Sequence, residues 1–408
     1  MAIKLVENKT NGAKIKVVGV GGGGGNILNS MVSKGIEGVE FIAINTDAQA
    51  LEKSKADVKI PLGNSITNGL GAGMKEEVGF KAVEESRDDI ERALAGSDMV
   101  FITAGMGGGT GTGGAPAIAH IAKGMNALVV AIVTKPFAFE GKPRADLANI
   151  GIDKLKTEVD SLIVIPNEKI LKLINKETTK KVAFELADRV LYNATKGISQ
   201  IITKIGEINV DFADVRTTMK DMGDAMMGTG IASGENRAVM AVTYALSNPI
   251  LDEIDIKGSR SVLVNICSNG EVKMSEIEEI NRIIQESAGE DAKYILGLVD
   301  DDTMKEELMV TVIATGFNSY IEEKKEVVVA EAKPKSGIIS KAGRITSLPT
   351  AESLGEYDRP AHERREISLN DDLSEKRVKE AEFTEEEIEN LVIDTDFKKP
   401  AFLRRQMD

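Results

Sequence analysis

The chain has 408 residues, 42% of them hydrophobic, and a formal net charge of −14. That length suits two packed domains with a tail, and the acidic balance argues against general nucleic-acid binding, which needs a basic footprint. One cysteine, Cys267, excludes an internal disulfide, and two histidines, His120 and His362, leave little for a His/Cys metal site or for histidine-based catalysis.

In chain order, residues 1–14 lack the apolar core of a signal peptide, and no later apolar run reaches the roughly 20 residues of a membrane span. The expectation is a cytoplasmic chain with no direct membrane insertion. Strand-like runs follow at 13–20, 39–47, 98–105, 127–134 and 161–166, with helical patterns between them, for example one over 77–94. Near-continuous apolar strands alternating with helices predict a parallel, doubly wound α/β sheet. A long helix is expected over 178–205, where Val182, Leu186, Val190, Ala194, Ile198 and Ile201 recur every three to four residues and "TTKK" supplies an N-cap. Residues 206–317 change texture. A Gly/Met-rich loop (221–230) leads to a helix from about Ser233, then to strands at 261–268, 294–300 and 308–317. Ser275 and Glu278 are spaced as a capping box. The organisation expected is a nucleotide-binding part over 1–177, a central helix over 178–205 and a smaller α/β domain over 206–317. A disordered linker would fill 318–390, and 391–408 would form a terminal peptide.

Three glycine loops mark the first half. "GVGGGGGN" (19–26) stands between a strand and a helical stretch, where glycine lets main-chain N–H groups approach a phosphate. "GGGTGTGG" (107–114) has the same setting, and its threonine hydroxyls would add donors. "NGLGAGMKEEVG" (68–79) is the third. Nothing matches GxxxxGK[ST], so main-chain amides rather than a lysine must cradle any phosphate. The bland alternative is that these glycines only permit tight turns and close packing. GxGxxG at Gly19, Gly21 and Gly24 also leaves open a dinucleotide-dependent oxidoreductase, with Asp47 as its ribose acid.

With "GGGTGTG" the chain from 13 to 317 resembles the FtsZ family of tubulin-like, bacterial cell-division GTPases. The resemblance extends through "GVGGGGGN", "NTDAQAL", "GLGAG", "TKPFAFEGKPR", "IPNEKI" and "NVDFADVRT". It implies a tubulin/FtsZ-type fold: a parallel-sheet GTPase domain, a long central helix, a smaller α/β domain and a disordered tail. It also implies GTP/GDP as ligand with Mg²⁺, head-to-tail self-assembly into filaments, and a site beneath the membrane at midcell. Carried over by position, phosphate contacts fall on Gly22, Gly23, Gly24, Gly25 and Asn26, and on Gly107, Gly108, Gly109, Thr110, Gly111, Thr112 and Gly113. Ala72 and Gly73 would approach the γ-phosphate, Glu140 and Arg144 the ribose, and Asn167, Phe184 and Asp188 the guanine. Without the resemblance, Phe184 reads as core and Asp188 and Glu140 as solvated surface. The family usually has alanine where Gly114 stands, which implies a slightly looser start to the following helix.

In "NVDFADVR", Asp211 and Asp214 lie three apart. That spacing is as common in an N-cap with its first-turn acid as in catalysis. If Asp188 meets the base, Ile205 lies about 26 Å further along the central helix, so the acids beyond it cannot reach the same nucleotide. They could reach that of a neighbour stacked head to tail. Asp211 and Asp214 are therefore expected to act in trans, with Asn209 ordering the loop. The resemblance assigns "KKPAFLRRQ" to a peptide that docks on tethering and regulatory division proteins such as FtsA through Pro400, Phe402, Leu403 and Arg404. The family's usual acid two residues before the proline is replaced by Lys398. A scaffold that binds GTP without hydrolysing it is the third possibility.

Overall fold

A computed structural model describes residues 12–171, 178–204, 208, 210–247, 256–289 and 291–317. Asn209 and the linker and peptide expectations, including Pro400, Phe402, Leu403 and Arg404, lie outside the described residues. The chain runs β1 (Ile15–Val20), α1 (Gly21–Lys34), β2 (Val39–Asn45), α2 (Ala48–Glu52), β3 (Val58–Pro61), α3 (Asn64–Thr67), α4 (Glu76–Glu85), α5 (Arg87–Leu94), β4 (Met99–Gly105) and α6 (Gly109–Gly124). It continues with β5 (Leu128–Lys135), α7 (Lys142–Glu158), β6 (Ser161–Pro166), α8 (Asn167–Ile170), α9 (Lys180–Thr203), α10 (Phe212–Met219), β7 (Gly223–Ala232), α11 (Arg237–Leu246), β8 (Ser261–Ser268), α12 (Met274–Ala288), β9 (Lys293–Asp300) and β10 (Leu308–Thr315).

The strands form one ten-stranded sheet in the order β3-β2-β1-β4-β5-β6-β7-β10-β8-β9. From β3 to β7 every pairing is parallel. Because side chains alternate across a strand, each strand feeds two cores. Val18, Val20, Ile42, Val100 and Ile102 pack under α4, α5, α6 and α7, through residues such as Val83, Ile90, Ile118 and Leu155. Their neighbours Val17, Phe41, Met99, Phe101 and Val130 pack under α1, α9 and α10, through Leu28, Leu191, Ile198 and Met219. Burial on both faces explains why these strands read as unbroken apolar runs. A third core, with Val262, Val264 and Val310 beneath α11 and α12, fills one face of the second half.

Several expected boundaries hold closely, among them β6 and β8, and Thr179 caps α9 by accepting a hydrogen bond from the Val182 N–H. Others do not. The Gly/Met-rich loop is strand β7, with Ala225, Met226 and Met227 buried. Its Gly230 lies so close beneath α11 that a Cβ would stand 2.0 Å from the Ala241 carbonyl oxygen, so glycine here marks close packing rather than a loop. β3 went unread because it is four residues long and ends in proline. The single helix over 77–94 is two, α4 and α5, broken at Ser86. That hydroxyl accepts from the Gly63 N–H (3.3 Å) and donates to the Pro61 carbonyl (3.4 Å), tying the break to the end of β3. The helix expected from Ser233 starts at Arg237. The capping box at Ser275 and Glu278 is displaced: α12 starts at Met274, and Glu276 reaches back to the Lys273 N–H (2.8 Å).

Candidate nucleotide site

The functional loops gather where the parallel strands end. β1 passes directly into α1, and β4 reaches α6 after three residues; Gly107 and Gly108 precede α6 as expected, but Gly21 to Gly25, Gly109 and Gly111 form the first turns of the helices instead. Neither N-cap residue, Val20 or Gly108, supplies a side-chain cap. Both helices therefore present main-chain N–H groups and positive dipole ends at the same sheet edge, the arrangement that holds phosphates.

The glycines divide into two kinds. At Gly22, Gly25 and Gly108 a Cβ would meet nothing within 4 Å, and at Gly73 likewise, although its φ of +57° favours glycine. These line open space. Elsewhere the close-packing alternative holds. A Cβ at Gly23 would lie 3.0 Å from Gly105 Cα, at Gly24 2.4 Å from the Thr103 oxygen, and at Gly111 2.8 Å from the Gly105 oxygen. At Gly109 it would press on Ala72 Cβ (2.7 Å), and at Gly113 it would lie 1.9 Å from the Glu76 oxygen. The third glycine loop and α4 thus lie directly on the start of α6. Gly107 has φ +93° beneath the Arg144 carbonyl, and a Cβ at Gly114 would meet the Val20 and Val83 side chains at 3.3 Å. The threonines turn inward. Thr110 shares a 2.6 Å hydrogen bond with Thr46, and the buried Thr112 hydroxyl accepts from the Gly107 N–H (2.8 Å). Their hydroxyls shape the loop, which leaves ligand contact to the main chain.

At the other end of the same cleft, Gly23, Asn26, Glu140, Arg144, Asn167, Phe184 and Asp188 line one cavity. They come from α1, from the segment after β5 and the start of α7, from the start of α8 and from α9, so only the fold assembles them. Glu140 accepts from the Phe137 N–H (3.0 Å) and pairs with Arg144 at 2.9 Å. Arg144 Nε and Asn167 Oδ1 are buried with no hydrogen-bond partner among the described residues. Such groups are stable only when a ligand or water completes them. Phe184 is 40% exposed and meets Phe137 edge to face, 5.4 Å between ring centres. Burial pushes the Asp188 carboxyl up to about 6, Lys34 opposing and Glu185 adding to the rise. Thr134, missed from the sequence, also lines the cavity; its place at the end of a parallel strand was the available signal.

Asp211 and Asp214 lie elsewhere. Asp211 is the N-cap of α10, its carboxylate accepting from the Asp214 N–H at 2.9 Å, and both are exposed. Two residues on, Arg216 donates to the Asn126 carbonyl (2.8 Å), just before β5 begins. The cleft residue Thr134 lies near the far end of that strand, some 20 Å away at about 3.3 Å per residue. The acids and the cleft therefore occupy opposite edges of the sheet. Asp47 caps α2 through the Ala50 N–H (3.1 Å).

The cleft offers phosphates main-chain donors at one end and a flat base an aromatic face and unpartnered polar groups at the other, which defines a nucleotide-binding α/β protein. Residues 14–175 match the Tubulin/FtsZ family, GTPase domain, and residues 223–318 match the FtsZ family, C-terminal domain. The chain is 46% identical over 402 residues to the cell division protein FtsZ of Coxiella burnetii, covering 98% of each. It is 45% identical over 405 residues to that of Azotobacter vinelandii, covering 99% of this chain and 100% of the relative. Among solved structures, an empty FtsZ dimer from M. jannaschii is 44% identical with a TM-score of 0.73, over 76% of this chain and 90% of that one. CetZ2 from Haloferax volcanii, a GTPgS-bound protofilament, shares the fold alone, at 20% identity and a TM-score of 0.64 over 78% of this chain and 100% of that one. This chain belongs to the FtsZ family, the cytoskeletal GTPases of cell division. The oxidoreductase and non-hydrolysing alternatives are set aside accordingly.

Proposed function

We propose that this GTPase assembles head to tail and completes its hydrolytic site only between subunits. GTP would lie with its phosphates on the N-termini of α1 and α6, over the open positions Gly22, Gly25 and Gly108, with Ala72 and Gly73 at the γ-phosphate. Glu140 and Arg144 would meet the ribose. Asn167 and Asp188 would pair with the guanine edge while Phe184 stacks on its face. Asp211 and Asp214 of the next subunit, with Asn209, would orient the attacking water. Mg²⁺ accompanies the triphosphate. Among the described residues no cluster of three His, Cys, Asp or Glu stands ready to cage it, so phosphate oxygens and water would supply most of its ligands.

The observation that carries this reading is the separation of cleft and acids across one continuous sheet. A subunit cannot bring its own acids to its own nucleotide, but a copy stacked on it can, and such a heterologous contact propagates into a filament. The filament would act in cytoplasm at midcell. Pro400, Phe402, Leu403 and Arg404 would dock on a tethering partner such as FtsA, as the resemblance implies for the terminal peptide. GTP turnover measured against protein concentration tests the shared site. Expected is near-zero activity below a threshold and a steep rise above it; a rate proportional to concentration throughout would overturn it.

A further inference from the structure

Helices α1 and α9 each touch two cavities. At their N-terminal ends Asn26, Phe184 and Asp188 line the nucleotide cleft. Further along both helices Lys34, Tyr192, Lys196 and Gln200 line a second cavity of about 410 Å³, closed by Glu37, Lys204 and Asp301. That volume falls in the usual range of small-molecule sites.

Three ammonium groups and two carboxylates, the exposed Glu37 and the buried Asp301, face this space in a chain of net charge −14. The one nearly buried carboxylate is already committed: Asp301 accepts from Lys196 Nζ (3.2 Å), Gln200 Nε2 (3.2 Å) and the Thr303 hydroxyl (2.6 Å). Burial works to raise this carboxyl, yet Thr303 and Lys196 hold it well below the usual carboxylate range. Among the described residues the ion-pair partner of Lys204 is a loose one, Glu37 at 3.8 Å, whose side chain is 83% exposed. Lys34 lies over the Tyr192 ring, 4.8 Å from its centre. Gln200 is 3% exposed, and with its amide nitrogen spent on Asp301 its Oε1 has no partner among the described residues. A buried carbonyl oxygen without a donor marks a place where a ligand hydroxyl or a water belongs. The cavity asks for an anion and an O–H donor together.

We propose that this cavity binds a phosphorylated polyol, its phosphate held by Lys34 and Lys204 and one hydroxyl donating to Gln200 Oε1. Inorganic hydrogen phosphate carries the same two functions but fills little of the space. Occupancy would be felt at the nucleotide. Lys34 lies over Tyr192, which follows Asp188 by one turn of α9, and from there it favours the charged form of Asp188; drawing Lys34 onto a phosphate therefore leaves Asp188 a poorer acceptor for guanine, and linkage makes the effect mutual. This coupling rests on a guanine nucleotide occupying the cleft; the cavity stands on its own observations.

Calorimetric titration of the nucleotide-free full chain with glucose 6-phosphate, inorganic phosphate, sulfate and glucose tests the proposal. Glucose 6-phosphate should bind. Sulfate, which lacks an O–H, and glucose, which lacks charge, should bind at least about tenfold more weakly, the scale of one charge-assisted hydrogen bond. Sulfate binding as tightly as glucose 6-phosphate would overturn the site as built, and inorganic phosphate doing so would overturn the polyol assignment. Lys204→Gln should weaken glucose 6-phosphate by at least about tenfold and leave GDP affinity without it unchanged; unaltered glucose 6-phosphate binding would overturn the location. Saturating glucose 6-phosphate should lower wild-type GDP affinity by at least about fivefold, the low end of typical couplings. An unmoved GDP affinity would overturn the coupling. Loss of all GDP binding with glucose 6-phosphate binding intact would support the cavity and count against the nucleotide reading instead.

Discussion

Strands β1 to β6 lie parallel and turn into their helices at one edge, whereas β7 to β10 mix directions, with β10 antiparallel to both neighbours. The difference is functional. Parallel strands must return through crossover connections, so their ends and the N-termini of the following helices collect on one side. That is where the glycine-rich starts of α1 and α6 lie, beside the cavity lined by Arg144, Asn167, Phe184 and Asp188. The mixed half, joined to the rest through β6–β7 and the packing of α9, carries no second cleft of that kind among the described residues. It brings the acid-bearing start of α10 to the opposite edge. In the proposed reading, one half would hold the nucleotide, and the other would present the acids that complete a neighbour's site.

The sharpest way to break this contrast is Asp214→Ala. Turnover of GTP should fall by about 10²–10⁴-fold, the usual contribution of positioned acid–base groups, while GTP affinity stays unchanged. Normal turnover would remove Asp214 from the reaction. Next in size is Gly113→Ala, whose Cβ would stand 1.9 Å from the Glu76 oxygen of α4; forcing the helices apart should destabilise the fold by about 3 kcal/mol, read by chemical denaturation. In the mixed half, Arg237 pairs with Glu276 at 2.8 Å and donates to the Glu306 carbonyl at 3.0 Å, linking α11, α12 and the turn before β10. Arg237→Ala should cost about 2 kcal/mol through those charge-assisted bonds with no direct effect on nucleotide affinity.

A smaller effect concerns pH. Asp188 titrates near 6 because burial disfavours its charge, and guanine's N–H groups need the charged form. GTP affinity should be flat above that pH and decline as the pH drops through about 6. Asp188→Asn should abolish that step. For the nucleotide-free fold the sign is opposite: the folded carboxyl holds its proton more tightly than the unfolded one. This group therefore adds stability as the pH falls from above 6 toward 3.8 and withdraws it as the pH rises through 6. The smallest effect is expected at Gly108→Ala, where a Cβ meets open space. Stability should change by less than about 0.5 kcal/mol, and any loss should appear in nucleotide affinity alone. A large drop in stability there would erase the distinction between open and packed glycines.

Much of this was legible along the chain because it is local. Apolar runs, capping at Thr179, helical periodicity and glycine placement reflect neighbours in sequence, so strands and loop positions could be read directly. The resemblance, carried by several short motifs, singled out Glu140, Phe184 and Asp188, which residue types alone would have left as core or surface and which the fold brings to one cavity. What only the tertiary structure decided depends on distant segments meeting. It distinguished glycines that face open space from those pressed against α4 and β4, turned Thr110 and Thr112 inward, made a strand of the Gly/Met-rich segment, and set the acids on the far edge of the sheet. The physical reason is packing. A close backbone approach, or a polar group left unpartnered as at Asn167 and Gln200, is a property of two surfaces in contact, and a single stretch of sequence contains only one of them.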